Sequence, residues 1–225
     1  MDFLNRILFF PLNLLPFYLI TLLIAFTVHE FSHGLAAYLL GDTRARDLGR
    51  LSFNPIRHID PMGFIFILIV GFGWAKPVMV DAYNFKDPKN DMAITAFSGP
   101  LSNLLLAFAG FLIVVPLEAL YIGSSTIVIY FYTFLLYFLI PINIMLAVFN
   151  MLPLPPLDGS KVLGVALPEH LYFRMMRADR IGFFILMFLL LTNSQTNVFK
   201  YIIEVPRDAI FNAMRLLVEN TYFFL

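Results

Sequence analysis

TVHEFSHGLAAYLLGD, Thr27 to Asp42, continues a run that carries no charge from Ile7 to Val28. Leu22 to Phe26 precede His29, Glu30 and His33, and Leu35 to Leu40 follow them, so three ionisable side chains sit inside an otherwise apolar helix. Residues four apart on a helix share a face, about one turn along its axis. Both imidazoles can therefore reach one tetrahedral Zn²⁺ at about 2.0–2.1 Å. Glu30, beside the first of them, is placed as a general base for a water molecule that the cation acidifies. An HExxH pattern on a helix carries this chemistry. The plainer reading, polar residues tolerated at a helix end, supplies nothing to offset their desolvation, and ionisable groups at membrane depth are costly.

Outward from this segment, further uncharged runs extend from Pro61 to Ala75, Met92 to Leu117, Ala119 to Leu157 and Ile181 to Phe199. A membrane-spanning helix needs about 20 mostly apolar residues. The predicted fold is an all-α polytopic membrane protein of about 4–6 transmembrane helices. Helices are expected over residues 7–41, 91–117, 125–150 and 178–193, and an amphipathic C-terminal segment over 198–225 that lies at the interface, a second buried helix being the alternative. Residues 61–85 contain Gly63, Gly71, Gly73 and Pro77 and are too broken for a span. They are expected to form a short re-entrant β-hairpin, with alternation in VMVDAYNF, Val78 to Phe85. If 61–75 does not cross, the clusters Arg44–Arg57, Lys76–Lys89 and Lys161–Arg180 share one side, and the connection from Glu118 to Thr126, free of Lys and Arg, lies opposite. The positive-inside rule then places the basic loops and the active-site side in the cytoplasm. The chain reads as one unit, residues 1–225, in the cell membrane, with no cleaved signal ahead of it.

Composition agrees with a lipid environment. Hydrophobic residues make up 60% of the chain and charged ones 13%, with a mean hydropathy of +0.82, against roughly 45–50% apolar in soluble domains. Fifteen basic and fifteen acidic residues balance, so no basic excess invites nucleic acid. Cysteine is absent. A metal must then rely on His and carboxylate.

A catalytic zinc site with two His needs a third protein ligand and an open position. His58 and His170 lie in charged connections, so the best carboxylate is Asp158, in NMLPLPPLDGSK, Asn150 to Lys161. Pro153, Pro155 and Pro156 bar helix there. The segment 151–160 is expected as an irregular ligand loop. Irregular backbone near membrane depth is tolerated where it is buried in protein or lines a watery cavity. Asp158-Gly159 also reads as an ordinary surface turn.

Three blocks, HEFSH in an apolar helix, SGPLSN (Ser98 to Asn103) and NMLPLPPLDG, occur in the order seen in the site-2 protease family, the intramembrane zinc metalloproteases of peptidase family M50, which the chain resembles. LSFNPIRHIDPMG and GWAKPV are similar to its compact bacterial and archaeal members, without PDZ or CBS domains. The resemblance implies one Zn²⁺ per chain, with His29, His33 and Asp158 as ligands and Glu30 as catalytic base. It also implies oxyanion or substrate contacts for Asn150 and, at a position that fits helix packing or a cavity equally well, for Asn103. The substrate it implies is a membrane protein with a transmembrane segment, cut in or near that segment within the lipid bilayer.

A helical substrate must be unwound before cleavage, and an exposed strand edge around Gly71 to Phe85 could hold it extended by strand addition. Two other functions use part of the same pattern. A membrane zincin acting on interfacial or soluble peptides would share His29, Glu30 and His33 but would not need LPPLDG. A scaffold with structural zinc would not need Glu30.

Overall fold

The computed structural model describes residues 9–71, 73–120, 125–196 and 200–223. Three helices are long and apolar enough to cross a membrane: Leu15–Leu39, Pro88–Glu118 and Thr126–Asn150. This makes the chain a multi-pass membrane protein. We number the helices α1 (Leu15–Leu39), α2 (Pro61–Val70), α3 (Pro88–Leu120), α4 (Thr126–Asn150), α5 (Asp158–Gly164), α6 (Glu169–Met176), α7 (Asp179–Thr196) and α8 (Val205–Phe223).

Helix α3 is the hub, packing against α1, α4, α5 and α8. Its Ala107, Phe111 and Val114 meet Leu139, Ile140 and Ile144 of α4 in the main buried cluster. Within α4, residues Leu135–Leu139 widen into a π-turn. Pro141 comes two residues after it, and because it has no N–H to continue the helical ladder, the helix must adjust its turn there.

The expected β-hairpin over 61–85 is not formed. Residues 61–70 are helix α2, and among the described residues the β pairing is a single antiparallel bridge, Ile59 with Ala75. Local signals decide this. The Asp60 side chain caps the first turn by accepting from the Gly63 N–H, and Pro61 occupies the first position, where its missing N–H is not needed. Gly71, at φ 77°, ends the helix in the left-handed conformation that glycine adopts freely. Beyond the bridge the Lys76 N–H donates to the His58 carbonyl at 2.8 Å. The chain then runs past α1 without a strand partner.

The C-terminal segment is π-helical over Lys200–Glu204 and continues as α8. It is amphipathic, but the apolar face of α8 meets protein. Ile210, Phe211, Met214 and Val218 recur on one face and join the α3–α4 cluster, with Val218 1% exposed. The Phe111 and Phe211 rings lie 4.9 Å apart, edge to face, and Arg215 pairs with Glu118 at the end of α3.

Candidate metal centre

His29 and His33 lie on the buried face of α1, one turn apart, their rings 4.5 Å apart at 89°. Each ring is fixed through Nδ1. The Asn103 amide of α3 donates to the Ala25 carbonyl at 3.3 Å and to Asn143 Oδ1 of α4 at 2.8 Å. Its Oδ1 is thereby turned towards His29, whose Nδ1–H donates to it at 2.7 Å. The His33 Nδ1–H donates to the Thr95 carbonyl, also at 2.7 Å. Both imidazoles are thus held in the tautomer that leaves Nε2 bare, as metal-ligating His requires.

The two Nε2 atoms converge to 3.0 Å. Asp158 Oδ2 lies 3.3 Å from one and 3.2 Å from the other. Three acceptor atoms with no proton among them repel one another unless a cation stands between. Tetrahedral ligands about 2.0–2.1 Å from Zn²⁺ are roughly 3.3–3.4 Å apart, close to the spacing observed. His29, His33 and Asp158 form a group that could hold a metal ion, and the donor set of two neutral imidazoles and one carboxylate fits Zn²⁺.

Asp158 reaches the imidazoles because the irregular stretch ends at Leu157 and α5 begins with Asp158 itself. The expected loop 151–160 is therefore shorter, and Asp158-Gly159 is a helix start and not a surface turn. Lys161, one turn along α5, stands 3.7 Å from Asp158 Oδ1.

Glu30 and Asn150 line the same cavity as His29, His33 and Asp158, an open space of about 1080 Å³. Its remaining walls are largely apolar and aromatic, among them Phe26, Trp74, Tyr137, Met145 and Phe183. Glu30 Oε2 accepts the Val78 N–H at 2.8 Å, which brings the unpaired segment after Lys76 alongside the centre. Asn150 turns its amide to the Leu146 carbonyl at 3.0 Å.

Asn103 does not reach this cavity. It is 0% exposed, behind His29, and its amide is fully occupied. A substrate contact gives way to the orienting of His29. Asn143, also 0% exposed, extends that chain by donating to the Leu139 carbonyl in the π-turn. Asn143 was missed, although a polar side chain within the uncharged run from Ala119 to Leu157 was a usable signal. Thr95 contributes a backbone carbonyl, which no residue pattern reveals. Of the remaining histidines, His58 is buried elsewhere, its ring bonded to the Ser52 carbonyl at 2.7 Å, and His170 is exposed.

A helix-borne HExxH pair joined by a carboxylate from a separate element, in the wall of a cavity between membrane-length helices, places the molecule among membrane-embedded metallopeptidases. Residues 115–192 match peptidase family M50. The protein named "Putative zinc metalloprotease YwhC" of Bacillus subtilis (strain 168) is 39% identical over 210 residues, covering 92% of this chain and 94% of that protein. "Putative zinc metalloprotease MJ0611" of Methanocaldococcus jannaschii is 38% identical over 103 residues, 45% of this chain and 49% of that protein. "Putative zinc metalloprotease Rip2" of Mycolicibacterium smegmatis is 26% identical over 175 residues, 76% of this chain and 64% of that protein. No solved structure matches the chain significantly. The chain belongs to peptidase family M50.

Proposed function

We propose that this protein is an intramembrane zinc metalloendopeptidase that hydrolyses peptide bonds in or near transmembrane segments. The observation that carries the reading is the convergence of His29 Nε2, His33 Nε2 and Asp158 Oδ2 within 3.0–3.3 Å, beside Glu30, in a largely apolar cavity.

His29, His33 and Asp158 would hold the metal. When bound, zinc lowers the pKa of water towards neutrality and polarises a carbonyl. Glu30 takes a proton from the attacking water and passes it to the leaving amine. Asn150, on the cavity wall, turns its amide from the Leu146 carbonyl to the oxygen on which negative charge develops. The segment from Lys76 to Asp81 gives an unwound substrate main-chain partners by strand addition, one edge of backbone serving where a hairpin was expected.

Helix α2, ten residues long, rises only about 15 Å, half the hydrocarbon thickness of about 30 Å. A segment that enters and returns keeps the three basic regions on one side, which the positive-inside rule makes cytoplasmic together with the metal centre.

The test is Glu30→Gln in the native membrane. The variant should keep one zinc per chain and accumulate an uncut membrane protein that the wild type clears. Full biological activity in that variant would favour a scaffold. Equal cleavage of a soluble peptide and a transmembrane substrate by the wild type would favour an interfacial zincin.

A further inference from the structure

Asp42 closes the segment that opened the sequence reading, and the reaction outlined above makes no use of it. It is 0% exposed. Among the described residues it forms no ion pair; its carboxylate accepts three N–H bonds. Oδ1 accepts from the Arg44 backbone at 3.1 Å and from the Asn84 amide at 2.7 Å, and Oδ2 accepts from the Asp81 backbone at 2.7 Å. Two of these donors belong to the chain beyond Val80. Arg44 strengthens the same junction through an ion pair with the Asp81 carboxylate.

The segment is therefore held at two points by two carboxylates of one chain stretch, Val78 N–H by Glu30 and Asp81 N–H by Asp42. From Glu30 to Ala37, whose carbonyl accepts the Asp42 N–H at 2.9 Å, helix α1 rises about 10–11 Å. Val78 and Asp81 are three residues apart, a reach of at most about 10–11 Å. The two spans match, so residues 78–81 held at both amides run extended alongside α1. Among the described residues, no partner accepts from the Met79 or Val80 amide.

We propose that Asp42 is a positioning residue, a distal clamp that draws residues 78–81 taut beside the metal centre and fixes the register in which their backbone meets a substrate. The proposal rests on the peptidase reading for its purpose, but the clamp itself can be tested without catalysis. A carboxylate is the matching group, because all three neighbours are donors. An amide in its place turns an NH₂ towards at least one of them.

The test uses the full chain in detergent micelles and the variants Asp42→Asn and Asn84→Ala. Amide hydrogen exchange is resolved to single residues. Asp42→Asn should speed exchange at both Val78 and Asp81 by at least tenfold, with α1 from Leu22 to Gly34 and the zinc content unchanged. Asn84→Ala, which removes one donor and leaves Asp42 in place, should act in the same direction by a smaller factor. Loosening of Asp81 alone, with Val78 still protected, overturns the proposal. Equal loosening throughout α1 also overturns it, since Asp42 would then be a general fold residue.

A second readout is cleavage of a quenched ten-residue apolar peptide. Asp42→Asn should raise KM about tenfold and change kcat less than twofold. A loss confined to kcat overturns the register claim. Failure of the wild type to cut any peptide, with the exchange result intact, counts against the peptidase reading and leaves the clamp standing.

Discussion

A Cβ placed on Gly99 would stand 2.5 Å from His33 Cε1 and Nε2 and 2.7 Å from His29 Cε1. Helix α3 thus lies directly against both imidazoles, and the absence of a side chain there lets their Nε2 atoms meet. Helix propensity alone favours Gly99→Ala by about 1 kcal/mol; the contact at the imidazoles reverses that sign for function. Displacing the rings by about 1 Å should cost on the order of 100-fold in turnover, with zinc content reduced and the helical circular dichroism unchanged. Full zinc occupancy and wild-type turnover in Gly99→Ala would show that the rings relax freely. His29, Glu30, His33 and Asp158 were legible in the sequence because reactive side chains in an apolar run have few structural uses. The support behind them was less so. Thr95 acts through a carbonyl that every residue possesses, and Asn103 showed its partner only once α1 and α3 were packed.

At the scale of elements, length without charge made the helices now numbered α1, α3 and α4 readable, since lipid leaves an apolar chain little choice but helix. The stretch 61–85 departs from the expected hairpin because its glycines do not all break the chain. Asp60-Pro61 and Gly71 are a start and a stop, and the ten residues between them form α2. Among the described residues the β pairing ends at the Ile59–Ala75 bridge, and the extended chain after it is where the proposed strand addition is to be tested. Val80 lines the cavity. Val80→Pro removes one N–H while keeping an extended conformation for Met79. At about 1–1.5 kcal/mol for a lost hydrogen bond, cleavage of a transmembrane substrate should fall roughly tenfold, with zinc content unaltered. Unchanged turnover of that substrate removes strand addition at this segment.

For the whole molecule, the proposed ligands come from α1 and α5, two elements that each pack on α3, and α3 also carries the residues that orient both imidazoles. A cation held there ties three elements together at one end of the bundle, while the Phe111 cluster and the Arg215–Glu118 pair hold the other. Metal removal should therefore register in global stability as well as in catalysis. A ligand that binds only the folded state, at 100 times its Kd, stabilises by about 2.7 kcal/mol. For a chain of 225 residues, each kcal/mol moves the melting temperature by about 2–4 °C. Chelation in detergent micelles should thus lower it by about 5–10 °C, and added Zn²⁺ should restore it. Glu30→Gln should retain that response, since Glu30 is not assigned as a ligand, whereas His33→Ala should melt at one temperature with or without zinc. Should chelation leave the melting temperature of the zinc-loaded wild type untouched, the metal would not be held between α1 and α5.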